Sequence, residues 1–164
     1  MNVLGDMKNK IFTALLMDAD IVKLVTDSPT VTLPAMELRY TSIIPWKKTP
    51  DTRETAQTLI TFEIGIGAEV SPAVRWYNIY IRVLTHDSLM RFDKQAADKL
   101  GLTDRGTRID VLAEKIDYLI NGSKELGLGK VQTVESTTFD TVGDYHGRGL
   151  MYAVQGPNRQ CDRL

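Results

Sequence analysis

Two segments that alternate apolar and polar residues, separated by a short turn, constrain this chain more than any other feature. In the first, Ile60, Phe62, Ile64 and Ile66 alternate with Thr61, Glu63, Gly65 and Gly67. In the second, Tyr77, Ile79, Ile81 and Val83 alternate with Trp76, Asn78, Tyr80 and Arg82. Successive side chains of a strand point to opposite faces, so each segment is a strand with one buried side. The strands are expected over residues 58–68 and 75–85, with residues 69–72 as the turn of a hairpin. Gly65 and Gly67 inside the first strand mark a bulge or a close approach of another chain.

A helical pattern precedes the hairpin. Leu4, Met7, Ile11, Ala14, Leu15 and Met17 recur every three or four residues, as one face of an amphipathic helix does. Asp18-Ala19-Asp20 breaks it and caps a further apolar turn through Ile21, Leu24 and Val25. Pro29, Pro34, Pro45 and Pro50 exclude a long helix between residues 27 and 57. A short strand is expected over residues 37–44. The polar loop 46–54 then carries Trp46, Lys47, Lys48 and Arg53 as candidate contacts.

Past the hairpin, Phe92, Ala96, Ala97 and Leu100 suggest a short helix within residues 89–105, read as an excursion from the core. A stronger helix is expected over residues 107–121. Ile109, Leu112, Ala113, Ile116, Leu119 and Ile120 form its stripe, Thr107 and Asp110 resemble a capping box, and Asn121-Gly122 stops it. This helix should lie across the sheet and bury the apolar faces of both central strands. A closing strand pair is expected over residues 130–141 and 145–154, joined at Val142-Gly143-Asp144. The fold class is therefore α+β. One domain over residues 1–156 should hold a mixed or mainly antiparallel sheet of about four or five strands with helices on one face, ahead of a polar tail, 157–164.

Composition narrows the function. A net charge of −1, with charges mixed along the chain, lacks the basic excess of a nucleic-acid binder. No apolar stretch approaches the ~20 residues of a membrane span. No signal peptide is read at the start of the sequence, so synthesis in the cytosol is expected. Cys161 is the only cysteine and lacks the partners of a metal site. Asn121-Gly122-Ser123 matches a glycosylation acceptor, by chance in this setting.

Motifs for chemistry are weak. His86-Asp87 is an adjacent histidine–acid pair past a strand end, and with Asp93 it is the one basis for a small hydrolase or nuclease. Neighbours on an extended chain point to opposite sides, and no nucleophile is placed by a recognisable motif. His146 reads as a turn residue. The glycines from Gly122 to Gly129 fail the P-loop spacing, because Lys124 stands where the first glycine belongs and the segment closes a helix instead of opening one. No enzymatic role, cofactor or metal is expected. The second strand instead sets Trp76, Tyr80 and Arg82 on its outward side, residue types enriched at protein interfaces.

Taken in order, a helix ending in Leu15-Leu16-Met17-Asp18-Ala19-Asp20, the strands Thr58-Leu-Ile-Thr-Phe-Glu-Ile and Tyr77-Asn-Ile-Tyr-Ile-Arg-Val, the helix Ile109-Asp-Val-Leu-Ala-Glu-Lys-Ile and a closing hairpin resemble the tail terminator, or head–tail joining, proteins of tailed bacteriophages. The resemblance is one of layout over about residues 5–155, with no signature motif. It implies a virion structural protein at the head-proximal end of the tail, made in the host cytoplasm. Such a protein forms a hexameric ring that caps the tail tube, stops its polymerisation and docks to the head connector, with DNA passing through without sequence-specific contact. The free chain is then either that ring or a monomer that assembles on its template. A ring needs two unlike complementary patches per subunit. The candidates are Trp46, Lys47, Lys48 and Arg53; Trp76, Tyr80 and Arg82; and Arg91, Phe92 and Arg105. A neck or head-completion protein, another minor tail component, and a binding module for a host protein are the alternatives.

Overall fold

A computed structural model describes residues 2–51, 55–141 and 143–158. In chain order the elements begin with α1 (Val3–Met17), α2 (Ala19–Thr26), a 3-10 turn at Met36–Leu38 and β1 (Ile43–Ile44). The long strands β2 (Thr58–Ser71) and β3 (Val74–His86) follow, then α3 (Asp87–Met90), β4 (Arg91–Phe92), α4 (Lys94–Leu100) and β5 (Gly106–Thr107). Last come α5 (Arg108–Ile120), β6 (Gln132–Asp140) and β7 (Tyr145–Pro157).

The alternating segments pair as an antiparallel hairpin at the centre of a five-stranded sheet of order β1-β2-β3-β7-β6. Every neighbouring pair is antiparallel except β1–β2, which makes the sheet mixed. The fold is α+β. The hairpin turn is tighter than expected: the strands run to Ser71 and Val74, leaving Pro72-Ala73 as the bend. Register shifts between Ile66 and Glu69, around Gly67, and between Glu69 and Ser71 each absorb one extra residue of β2. A Cβ on Gly67 would sit 3.0 Å from that of Trp76, which explains the need for glycine at this bulge. Towards the hairpin turn Ile66 and Val70 are exposed.

Helices cover one face of the sheet, but not as the sequence suggested. α5 packs on β3 and β7, while the apolar side of β2 is covered by α1 and α2. The cause is the break at Asp18, whose carboxylate accepts the Ile21 N–H at 2.9 Å and starts α2 in a new direction. α5 is capped at Thr107: its Oγ1 accepts the Asp110 N–H and its hydroxyl donates to Asp110 Oδ2 at 2.6 Å. The opposite face carries a small second cluster of Leu59, Leu84 and Tyr145, with Phe139 against it.

Residues 89–105 are not an excursion. Phe92, Ala97, Leu100 and Leu102 are buried in the main core, and β4 and β5 pair as a two-stranded ladder that closes the segment onto α5. Residues 37–44 form the 3-10 turn and only two residues of strand, because Tyr40 reverses the chain at φ 67°. At the other end β7 extends to Pro157, paired with Val74, and the Asn158 N–H donates to Ala73 O. The sheet thus runs past the expected boundary at 156; Cys161 lies outside the described residues.

Of the glycines between α5 and β6, Gly127 serves packing, while Gly122 and Gly129 stand at positive φ. A Cβ on Gly127 would fall 2.2 Å from Gln155 O, where the Leu128 N–H donates to that same carbonyl at 2.7 Å. The loop is stitched to β7 at this point.

Candidate interaction surface

The candidate residues of the 46–54 loop separate into different settings. An aromatic row leads from the core to the first of them. Phe62 meets Phe12 edge-on at 5.1 Å, Phe12 meets Tyr40 at 5.3 Å, and Tyr40 stacks on Trp46 at 6.1 Å. Phe62 and Phe12 are buried, while Tyr40 and Trp46 are 52% and 48% exposed, so the row ends as an aromatic surface beside β1. The Arg39 guanidinium lies 4.5 Å from the Phe12 ring centre and 5.2 Å from that of Tyr40. Lys8 donates to Pro45 O at 2.9 Å. Lys47 is exposed next to Trp46, while Lys48 is half-buried and shares a 380 Å³ pocket with Arg82, Leu84 and Asp140. Arg53 lies outside the described residues.

Trp76, Tyr80 and Arg82 lie half-buried on the sheet face opposite the helices. Arg82 is tied across the hairpin to Glu63 at 3.0 Å, so part of that stripe is cross-strand pairing. Arg91 is exposed and bonded to Asp93 at 2.7 Å; Arg105 is exposed nearby, at the start of the β4–β5 ladder. Phe92 is corrected: it is fully buried under the Arg108 guanidinium and offers nothing to a partner. An aromatic next to charged residues reads as surface in a sequence, but here the short β4 turns it inward.

The residues proposed for hydrolysis do not converge as the sequence set them. His86 Nδ1 sits 2.8 Å from Ser88 Oγ and edge-on to Tyr145. Asp87 Oδ1 instead meets His146 Nε2 at 3.0 Å, on exposed surface. Asp93 caps α4 through the Ala96 N–H. Among the described residues no three His, Cys, Asp or Glu side chains gather to hold a metal, and no helix is long and apolar enough to cross a membrane.

A second surface escaped the sequence reading. It lies at the opposite edge of the sheet, where α5 and β6 bound a groove of about 640 Å³. Asp110, Glu114, Asp117, Tyr118 and Ser136 line it, and Tyr118 is 92% exposed. The signal was faint: on α5 only the spacing of Asp110, Glu114 and Asp117 marks a common acidic side.

The family model YomW matches residues 11–154, from within α1 almost to the end of β7. The chain belongs to the YomW family. No curated protein matches this YomW chain in sequence. Among solved structures, its fold is similar to a chain from the virion of a native gene transfer agent particle, with a TM-score of 0.55 and 12% identity. The superposition covers 95% of the YomW chain and 98% of the other; at that identity the likeness is one of fold.

Proposed function

We propose that this YomW-family chain is a non-enzymatic virion structural protein, a tail terminator that caps the tail tube as a ring and receives the head connector. One observation carries the reading: the chain matches, over nearly its whole length, the fold of a chain from a virion particle. The match takes in 98% of that chain as well. The geometry supports the same reading in a second way. The sheet ends in two unlike surfaces, one aromatic and basic beside β1, the other acidic beside β6, and a ring requires two unlike surfaces on every subunit. In this reading the protein sits at the head-proximal end of the tail, after synthesis in the host cytoplasm, and six copies enclose the path of the DNA.

Tube growth tests it. Purified tail-tube protein is polymerised with and without the chain, and tube lengths are measured by electron microscopy. The expected result is density capping one tube end and growth that stops once the chain is added. Tubes that lengthen as before contradict the terminator role. Binding to connector particles without any effect on tubes assigns a neck protein instead.

A further inference from the structure

We infer that the β6 edge and the acidic groove beside it are the docking site for a second copy of this chain, which presents its Tyr40–Trp46 surface. The inference rests on the ring reading above and specifies which surfaces meet.

Among the described residues β6 is the last strand of the sheet, with a neighbour on one side only. Residues 132–138 are all exposed, and the strand contains neither lysine nor proline, the residues that usually blunt an open edge. Its threonines and Val134 favour extended pairing. Val134, 54% exposed, sits where the register with β7 shifts, and Leu128, 57% exposed, lies on the loop just before the strand. An edge this long, with apolar residues beside it, calls for a partner.

The opposite edge is built differently. Arg39 forms an isolated parallel bridge with Ile43, so the outer side of β1 is paired at that residue. That flank presents the Tyr40–Trp46 stack, with the Arg39 guanidinium by the Tyr40 ring, Lys8 bonded to Pro45 O and Lys47 exposed next to Trp46. Across the molecule, the carboxylates of Asp110, Glu114 and Asp117 line a groove holding one guanidinium, that of Arg148, already bonded to Asp110 at 2.8 Å. Glu135 adds a further exposed carboxylate on β6, and Lys130 is an exposed cation just before the strand.

Charge decides between the two ways a copy can dock. Pairing β6 with β6 about a two-fold axis brings the acidic flanks together, and like charges meeting across a contact oppose it. Pairing the acidic flank with the aromatic, basic flank joins opposite charges and buries Trp46 and Tyr40, residue types that anchor protein contacts. Because the two flanks lie at opposite ends of one sheet, the contact is head-to-tail and repeats around a ring.

Two variants of the full chain test this. One reverses the acidic flank with Glu114→Lys and Glu135→Lys; the other removes the basic flank with Trp46→Ala and Lys47→Ala. All four residues are exposed, and circular dichroism establishes that each variant folds. By light scattering, each variant alone should associate at least about tenfold more weakly than the unaltered chain. An equimolar mixture should give a one-to-one complex and nothing larger, since each variant keeps one working flank. Folded variants that assemble like the unaltered chain overturn this assignment and leave the ring reading standing. So does a mixture that forms no complex, or a two-chain species lost only on altering the acidic flank, which assigns β6–β6 pairing. An unaltered chain that never self-associates, with or without tail tubes, removes both readings.

Discussion

Replacing Arg108 with alanine is expected to destabilise the fold by about 2–4 kcal/mol, the cost of losing a buried side chain whose hydrogen bonds include one to a partly exposed carboxylate. Arg108 is 3% exposed, yet each part of its guanidinium is used. Nε donates to Leu89 O at 2.9 Å, Nη1 to Leu24 O at 2.9 Å and Nη2 to Asp27 Oδ1 at 2.7 Å, above the Phe92 ring. One side chain thus binds the C-terminal end of α2, the α3 segment and α5 together. Alanine leaves two carbonyls and a carboxylate without that donor, beside a hole over Phe92. Lysine should recover only part of the loss, since an ammonium cannot match the planar fork. Urea unfolding monitored by circular dichroism measures both.

The same clamp gives the stability a pH dependence of known sign. Burial disfavours the charged form of Asp27, but the hydrogen bonds from Lys99 and Arg108 outweigh it and hold the pKa below the ordinary value of 3.8. A carboxyl whose pKa is lowered by folding stabilises fully above its unfolded value, and that contribution is lost as pH falls through the folded one. Below about pH 4 the unaltered chain should therefore lose stability more steeply than Asp27→Asn, although the variant starts lower at neutral pH.

Phe62→Ala should cost about 3–5 kcal/mol, through a cavity rather than a lost charge. Phe62 is fully buried where β2 meets α1, and it supports Phe12, on which the Arg39–Tyr40–Trp46 surface rests. Its removal should shift the urea midpoint and also loosen Trp46, seen as a red shift of the tryptophan emission in the folded variant. Trp76, on the other face of the sheet, is replaced by phenylalanine in the same background so that the emission reports Trp46 alone. A small stability loss with Trp46 emission unchanged contradicts the mechanical link from core to surface.

What could be read in the sequence was what repeats with a period. The alternation through Phe62 and Ile79 gave the hairpin, and the three- and four-residue spacing after Thr107 gave α5 with its cap. Asp18 was visible as a break because a carboxylate before an apolar turn has a local partner three residues on. Interactions between residues far apart in sequence were not visible. Arg108 looks like a solvated charge at a helix start until Leu24 and Asp27 arrive from α2. Phe92 belongs to a two-residue strand, too short to show any period. Asp87 sits beside His86 in sequence, yet its carboxylate reaches His146 from another strand. The same limit explains the candidate surfaces. Trp46 and Lys47 were visible as unusual residues in an irregular loop, but the stack on Tyr40 depends on the reversal at Tyr40. The exposed edge of β6 depends on sheet order, which no local pattern encodes.

The measurement that tests the central claim most directly is the mass of the purified chain by light scattering across a concentration series, with and without tail-tube protein. A discrete closed oligomer, or a monomer that becomes one only on tube ends, is the expected result. A chain that stays monomeric at every concentration and ignores the tubes contradicts the account.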